Sequence, residues 1–443
     1  MRPHFIYIVL TFTIGFANST VHAQKLEYTL KSCLESGLEN NYSLRMAHNK
    51  EQMNRNNATL GNAGYLPTLD LTSGYKGTID NIQTKSRESN QTTTNNGIFD
   101  QTINVGINLN WTLFDGFNIS TNYKRLKELE KQGETATRIA IEDFIASLTS
   151  EYYNYIQQKI RLKNLQYAVS LSKERFRIVE ERYRIGNFSR LDYQQAKVDF
   201  NTDSAKFMKQ HELLHSSRIK LNELIANKDV DQPFIIRDSI ININENFQFD
   251  ELWNSTLAIN ASLLKAEQNT RLSQLEYKQI NSRNYPYLKL NTGYGYTFNK
   301  YDINANRSRG DLGFNGGVTI GFNLFDGSRR SERKNAKLNI ENARLEKQEL
   351  ELLLRSDLSN LWQAYGNNLQ LLQLERQNLS AAKENHQIAM ERYLLGNLSG
   401  IEMREAQKSL LDAEERILTA EYNTKLCEIS LLQISGKVTD YLK

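Results

Sequence analysis

Glu181-Arg182-Tyr183-Arg184-Ile185-Gly186-Asn187-Phe188-Ser189 returns 210 residues later as Glu391-Arg392-Tyr393-Leu394-Leu395-Gly396-Asn397-Leu398-Ser399. A second pair, Leu113-Phe114-Asp115-Gly116 and Leu324-Phe325-Asp326-Gly327, is offset by 211. Upstream, Asn41-Tyr42-Ser43-Leu44 is echoed by Asn260-Ala261-Ser262-Leu263, and Pro67 by Pro286, both at an offset of 219. Solenoid units repeat every 20–50 residues or so, roughly a tenth of this chain at most. A period this long therefore marks a duplicated domain. It predicts a first repeat over 24–228, a linker over 229–248 and a second repeat over 249–443.

The residues around the quoted turns predict very long helices. From 118 to 185 there is no proline and one glycine, Gly133; from 328 to 395 there is again no proline and one glycine, Gly366. About 68 residues at 1.5 Å each reach roughly 100 Å. Ile141, Leu148, Tyr155, Leu162, Val169, Phe176 and Tyr183 stand seven apart, and Leu358, Tyr365, Leu372, Leu379, His386 and Tyr393 hold the same register in the second half. Shorter returning helices continue the spacing as Tyr193, Phe200, Phe207, Leu214 and Leu221, mirrored by Met403, Leu410, Ile417, Thr424 and Leu431. Heptads sustained this long mean helices coiled left-handedly about one another, so helical hairpins are expected over 118–228 and 328–437. At their tips, Gly186 and Gly396 suit a left-handed turn. Ser189 with Asp192, and Ser399 with Glu402, have the spacing of a capping box.

Ahead of each long helix the period changes to two. Ile103, Val105, Ile107, Leu109 and Trp111 alternate with Thr102, Asn104, Gly106, Asn108 and Asn110. Leu312, Phe314, Val318, Ile320 and Phe322 alternate with Gly, Asn and Thr, Gly316 being the one small residue on the apolar side. Partner strands begin at Leu69 and Leu288, giving β-hairpins over 67–113 and 286–324 with polar loops over 77–100 and 299–311. Alternation over about 10 residues matches a membrane-crossing β-strand with one face to lipid and one to a lumen; a hairpin on a soluble core is the alternative. The near absence of charge on the Asn, Gly and Thr face favours the membrane. Each half opens with a predicted helix, over 26–62 and 249–283. Pro67 and Pro286 end these helices, and Pro233 falls in the linker; proline is tolerated at such boundaries.

Composition narrows the classes. Residues 1–23 resemble a secretory signal: Arg2 and His4, an apolar run over 5–16, then Val21-His22-Ala23 before Gln24. That run is shorter than the 20 or so residues of a membrane span, and no cysteine follows the cut to carry a lipid. Mean hydropathy is negative, and no later stretch is long and apolar, which excludes a helical membrane protein but not a barrel. Lys and Arg total 55 against 51 Asp and Glu, a balance unlike that of a nucleic-acid binder. Cys33 and Cys427 are open to one bridge or two thiols, because spacing does not establish proximity.

Two hairpins supply four strands, and membrane barrels start at about eight because lipid tolerates no unpaired edge. The chain must pool strands with other copies: three copies bring twelve strands and twelve long helices. The duplicated plan, the proline-led strands, the Leu-Phe-Asp-Gly corners and the Tyr-x-x-Gly-Asn turns followed by a carboxylate resemble the TolC family of outer-membrane efflux channels over essentially the whole mature chain. The resemblance implies a homotrimer with a 12-stranded barrel in outer-membrane lipid and a periplasmic α-helical tunnel. It implies the duct of a tripartite exporter, docking a periplasmic adaptor (membrane fusion protein) and an inner-membrane RND, ABC or MFS transporter. Drug efflux and type I protein secretion use the same duct. A poreless periplasmic coiled-coil scaffold is the reading from a different class. No catalytic residues, metal or cofactor are expected.

The resemblance also implies a periplasmic aperture ringed by carboxylates at the start of the returning helices. The matching positions are Asp192, Glu402 and Glu405, with Tyr393 beside them. Glu405 is the most informative, since no capping box requires it. Where the family can place a gate arginine this chain has Leu398; Arg190 and Arg404 are the nearby substitutes. Ile185, Gly186, Asn187, Phe188, Leu395, Gly396, Asn397 and Leu398 are candidate adaptor contacts, because apolar residues at an exposed turn invite a partner. His211-Glu212-Leu213-Leu214-His215 has the zinc-protease spacing H-E-x-x-H and offers a zinc hydrolase as a third reading, but it lies inside a heptad run with Leu214 at a core position. Basic clusters, Lys124-Arg125-Lys127 and Arg329-Arg330-Arg333-Lys334, open the long helices against the helix dipole. They fit either phosphates at the barrel base or plain solvation.

Overall fold

Asn41 and Asn260, the residues that head the upstream echo, break helices rather than continue them. In the computed structural model, which describes residues 27–87, 90–236, 240–304 and 306–442, the single helix expected over 26–62 is four elements. These are β1 (Glu27–Tyr28), α1 (Leu30–Asn40), α2 (Tyr42–Asn57) and α3 (Leu60–Ala63). The predicted signal, residues 1–23, and Leu26 lie outside the described residues. The helix expected over 249–283 is likewise two, separated at Asn260. Each asparagine is extended and caps the helix that follows. Asn41 accepts from Ser43 N and Leu44 N at 2.9 and 3.2 Å, and Asn260 from Leu263 N at 3.0 Å. The side-chain amides do a second job. Asn41 Nδ2 donates to the Leu224 carbonyl at 3.0 Å and Asn260 Nδ2 to the Ile434 carbonyl at 2.9 Å. Both carbonyls belong to the last residue of a returning helix, where intrahelical partners run out. One residue type thus starts one helix and finishes another, once in each half.

β2 (Thr68–Lys85) and β3 (Thr92–Asp115) follow Pro67, and α4 (Asn118–Arg184) and α5 (Arg190–Leu224) form the first helical hairpin. After the linker, which includes β4 (Ile235–Ile236), come α6 (Phe249–Ile259), α7 (Ala261–Ser282), β5 (Tyr287–Lys300), β6 (Ser308–Gly321), α8 (Gly327–Leu394) and α9 (Gly400–Ile434). A short 3-10 turn, Val438–Leu442, closes the chain. The helix of 67 residues in one half and 68 in the other matches the length expected from the heptads. The strands outrun their expected ends: the range read as a polar loop, 77–100, is mostly ladder, with Gly77 opposite Gln101 and Lys85 opposite Thr92. Strands also take 299–300 and 308–311 of the second expected loop. Ladder bonds are made by the backbone, and the β-branched threonines of this region suit a strand; only apolar alternation, absent here, had marked the strands in the sequence.

The four long strands form one antiparallel sheet in the order β2-β3-β5-β6. Leu71, Ile107, Tyr294 and Phe314 stand opposite one another across all four, as do Asp70, Asn108, Gly293 and Asn315 on the other face. Leu71, Ile107, Tyr294 and Phe314 are exposed, so the sheet presents an uncovered apolar face. β2 and β6 are its two edges, each without a further partner among the described residues. No helix among the described residues is long and apolar enough to cross a membrane.

The main core sits where the helices cross the linker. Cys33, Leu34, Ile145, Leu148, Tyr152, Ile156, Leu221, Ile236 and Ile429 meet there with little or no solvent contact. Cys33 and Cys427 are thiols, not a bridge; Cys427 accepts from Asn368 Nδ2 at 3.4 Å. Two mirrored heptad tyrosines hold the linker: Tyr155 donates to the Phe234 carbonyl at 2.9 Å, and Tyr365 to the Asn244 carbonyl.

Both Leu-Phe-Asp-Gly corners use their aspartate as a helix cap, but differently. Asp115 accepts from Ile119 N at 3.0 Å after the chain passes through left-handed Gly116 and Phe117, with φ of 70° and 71°. A Cβ on Gly116 would collide with the Ser282 carbonyl. Asp326 caps α8 directly, accepting from Ser328 N at 3.0 Å. The first corner is packed, Phe117 meeting Phe114 and Tyr285 edge-on. The second is bare: Leu324 and Phe325 are 89% and 88% exposed.

Replacing Asn260 by alanine removes an N-cap and a carbonyl partner together, an expected loss of about 1–2 kcal/mol. Urea titration of the detergent-solubilised protein measures it, with Asn40→Ala, an exposed residue, expected to stay within about 0.5 kcal/mol of the parent.

Candidate gate at the helical tips

The two turns are built alike because the sequence repeats. Gly186 and Gly396 take φ of 81° and 80°. Gly186 N and Asn187 N donate back to the Tyr183 and Arg182 carbonyls at 3.0 and 2.8 Å; Gly396 N and Asn397 N do the same to Tyr393 and Arg392 at 3.1 and 2.9 Å. This double closure ends α4 and α8 and frees the chain to reverse. Ser189 and Ser399 then cap α5 and α9. Asp192 Oδ2 accepts from Ser189 N at 3.1 Å and Glu402 Oε2 from Ser399 N at 3.0 Å, completing both capping boxes. The Ser399 hydroxyl and N–H hold the Glu402 carboxyl below the usual carboxylate range. Glu405, one turn further, is exposed and has no polar partner among the described residues.

Tyr393 is buried with Ala389, Met403 and Ala406, and Leu398 packs on the same cluster. Its hydroxyl has no hydrogen-bond partner among the described residues, and burial pushes its pKa up. Asp192 is close enough to be felt electrostatically but accepts no bond from it. Arg182 lies over the Phe188 and Tyr393 rings at 5.3 and 5.9 Å. Ile185, Asn187, Leu395 and Asn397 are exposed at the turns, while Phe188 and Leu398 are half-buried against their own hairpins.

Neither proposed substitute for the gate arginine reaches Asp192. Arg190 is exposed with no ion pair among the described residues. Arg404 grips Asp203 instead, with Nη1 and Nη2 at 2.7 and 2.9 Å from its two oxygens. Arg404 Nε is 3.9 Å from Asp199, which also pairs with Arg175. This four-residue cluster, joining the first hairpin to α9, was missed in the sequence. The signal available was an offset comparison: the residues 210 away from Arg175, Asp199 and Asp203 are Asn385, Ser409 and Ala413.

The cluster ends a longer polar seam between α4 and α9. Gln433 Nε2 donates to Asp143 at 2.8 Å, Gln157 Nε2 to the Leu418 carbonyl at 3.4 Å, Arg161 Nε to Glu415 at 2.7 Å, Gln407 Nε2 to the Ala168 carbonyl at 3.4 Å, and Arg175 Nη1 to the Gly400 carbonyl at 3.3 Å. The pairs climb one helix as they descend the other in a constant antiparallel register.

The other motifs are absorbed by the surface. Glu212 pairs with Lys209 at 2.8 Å and His215 with Asp231 at 3.0 Å, pulling the H-E-x-x-H residues apart from any shared ligand. Among the described residues no group of three or more His, Cys, Asp or Glu is placed to hold a metal. In the basic clusters, Lys127 pairs with Glu130, and Arg125 and Arg329 bond Asn122 and Asn284.

His386 stands where the first half has Phe176, which stacks on Phe200. It is buried, its Nε2 lacks a partner among the described residues, and burial lowers its pKa below 6.5. The neutral ring is the folded form, whereas the unfolded chain takes up a proton below its ordinary value. This contribution to stability is therefore full above about pH 6.5 and falls as pH drops, by at most about 1.4 kcal/mol per pH unit. Half-buried Glu414 and Glu421 have pKa values raised by burial and act in the opposite sense. The comparison with His386→Phe isolates the histidine: thermal melts between about pH 7.5 and 5.5 should show a smaller acid loss in the variant.

Comparison with known proteins follows the same outline. The family described as outer membrane efflux protein matches residues 33–227 and 252–437. The outer membrane protein TolC of Vibrio cholerae serotype O1 (strain ATCC 39315 / El Tor Inaba N16961) is 21% identical over 392 residues, covering 86% of this chain and 84% of its own. Among solved structures, a membrane protein from Pseudomonas aeruginosa superposes with a TM-score of 0.75 at 16% identity, over 92% of this chain and 90% of the other. The Campylobacter jejuni CmeC outer membrane channel gives 0.73 at 17% identity, over 98% and 94%. At these identities the structural likeness speaks for the fold.

Proposed function

The chain belongs to the outer membrane efflux protein family, and we propose that three copies pool their sheets into one twelve-stranded barrel that continues as a periplasmic helical tunnel. Members of the family are outer-membrane channels that reach into the periplasm, and not enzymes. The observation that carries the trimer is the sheet itself: a four-stranded sheet with an exposed apolar face and two unpaired edges. In lipid such edges must be paired, and β6 of one copy against β2 of the next continues the antiparallel order.

The helices support the same closure. α7 lies between α4 and α8, and α2 covers the other flank of α4 through Arg55 on Glu130 and Thr137 on the Ala47 carbonyl. By the repeat, the open flank of α8 awaits α2 of a neighbour. Both bear exposed apolar residues seven apart: Leu338, Leu345 and Leu352 on α8, and Met46, Met53 and Leu60 along α2 and α3. The bare second corner, with Leu324 and Phe325, likewise awaits the end of α3, as the first corner meets the end of α7.

In this assembly Asp192, Glu402 and Glu405 of three copies ring the periplasmic mouth, with Tyr393 buried behind them. Such a ring favours cations and divalent-ion block. The exposed Ile185 and Leu395 dock a periplasmic adaptor, and an inner-membrane RND, ABC or MFS transporter supplies the substrate. The channel conducts passively. Planar-bilayer recordings of Glu402→Gln with Glu405→Gln test the mouth, since glutamine keeps the capping box. Most of the cation preference should be lost; an unchanged preference rejects these residues as the ring. For the barrel, Phe314→Arg should cost about 2–4 kcal/mol of stability in vesicles, against little for Asn315→Ser on the opposite face.

A further inference from the structure

The start of α8 carries more positive charge than its surroundings answer. Arg329, Arg330, Arg333, Lys334 and Lys337 fall within nine residues, where the positive end of the helix dipole opposes them. Two carboxylates stand beside them, and both are taken. Asp326 caps the helix, accepting from Ser328 N and Oγ at 3.0 and 2.7 Å. Glu332 accepts from Arg283 Nη1 at 2.7 Å and from the Ser328 hydroxyl at 3.1 Å. Arg330, Arg333, Lys334 and Lys337 are exposed and form no ion pair among the described residues. Arg329 Nη1 donates to neutral Asn284 at 3.1 Å, while its Nε and Nη2 are buried without a hydrogen-bond partner among the described residues. Further along α8 the pattern changes: Arg344 and Lys347 meet Glu341 and Glu267.

The repeat shows that the corner itself does not require these charges. Asn118, Ile119, Asn122 and Tyr123 stand where the second half has Arg329, Arg330, Arg333 and Lys334. In the first half α3 covers this surface: Asn122 Nδ2 donates to the Ala63 carbonyl at 3.3 Å, and Tyr123 meets Tyr65 edge-on. The α3 of a neighbouring copy would bring no counter-charge to the second corner, since no Asp or Glu occurs between Glu51 and Asp70. The surplus also lies at a particular height. Ile320 and Phe322 of the apolar face are exposed just before α8 begins at Gly327. From there to Lys334 the helix rises about 11 Å, against a headgroup layer of roughly 5–8 Å on each side of the hydrocarbon core. Arg330, Arg333 and Lys337 share one side of α8 with Arg355, which rests on the Trp253 ring of α6 at 5.6 Å. In the three-copy tunnel α6 is an extra layer on the wall, and an open conduit leaves it the outer side. The cations therefore face away from the conduit.

We propose that this patch binds the phosphate of an anionic phospholipid in the inner leaflet of the outer membrane, one per copy. This rests on the three-copy channel reading, which puts the sheet in lipid. Each exposed cation beside an anionic lipid surface strengthens attraction roughly fivefold. Arg329 adds a buried charge without a counter-ion, which favours an anion close outside. Phosphatidylglycerol has a net negative headgroup, whereas the ammonium of phosphatidylcholine cancels its phosphate. A patch with surplus positive charge therefore selects the first over the second.

Native mass spectrometry of the detergent-solubilised protein, titrated with phosphatidylglycerol or phosphatidylcholine, tests it. The unaltered chain should retain phosphatidylglycerol at about tenfold lower concentration than phosphatidylcholine, up to one per copy. Arg330→Gln with Arg333→Gln and Lys334→Gln should remove that preference. These residues are exposed, and the assembly mass in the same spectrum shows that the variant still folds. Lys124→Gln with Lys127→Gln, in the first-half cluster, should keep the preference. So should Arg330→Lys with Arg333→Lys, because charge rather than the arginine fork is used. Equal retention of the two lipids by the unaltered chain overturns the inference, as does a preference that survives the triple variant. Displacement of phosphatidylglycerol by millimolar inorganic phosphate would mark a site for the free anion and overturns the lipid assignment. A mass of one chain per particle is a different result: the three-copy channel itself then fails, and the inference with it.

Discussion

An unpaired strand edge leaves a row of N–H and C=O groups that lipid has no water to satisfy, and among the described residues this sheet has two unpaired edges. The sheet β2-β3-β5-β6 ends on β2 at one side and β6 at the other, with its apolar face uncovered. Other unfinished surfaces line up below it. The bare Leu324-Phe325 corner, the leucine stripe of α8 and the methionine stripe of α2 are each half of a joint whose other half is visible elsewhere in the same chain. Duplication makes this possible. In the three-copy channel proposed above, the joint between the two halves of one copy would serve as the template for the joint between copies, and a closed ring would need no third kind of surface.

Within that frame the repeats share what holds the architecture and differ in charge near the tips. Asn41 and Asn260 each cap one helix and satisfy the end of another; Tyr155 and Tyr365 each hold a linker carbonyl. These roles fall at the same place in both halves because the sequence repeat keeps the residues that perform them. The charge cluster of Arg175, Asp199, Asp203 and Arg404 has no counterpart 210 residues away. Phe176 and His386 occupy one heptad position with a stacked ring in one half and a buried imidazole in the other. Near the tips the symmetry is broken in charge and polarity while the backbone keeps it.

Much of the fold was legible in the sequence because its signals are long. Two helices of 67 and 68 residues follow from unbroken heptads without proline, and the tip turns follow from glycine, serine and a carboxylate at fixed spacing. Shorter decisions were not legible. One asparagine in an otherwise helical run does not announce a break; its effect depends on a carbonyl 183 or 174 residues away. The polar ladder beyond Gly77 lacked alternation, although backbone pairing does not require it. At the site, the capping roles of Asp192 and Glu402 were legible because they are local. The charge cluster was not. Arg175, Asp199 and Asp203 read as a solvated face until α9 brings Arg404 against them from 201 residues beyond Asp203.

A single chain is incomplete in the three-copy channel proposed above. Light-scattering mass of the detergent-solubilised protein, corrected for bound detergent, measures it directly. Three chains per particle is the predicted result. A stable, folded particle containing one chain would mean that the edges of β2 and β6 are satisfied without a neighbour, and would contradict it.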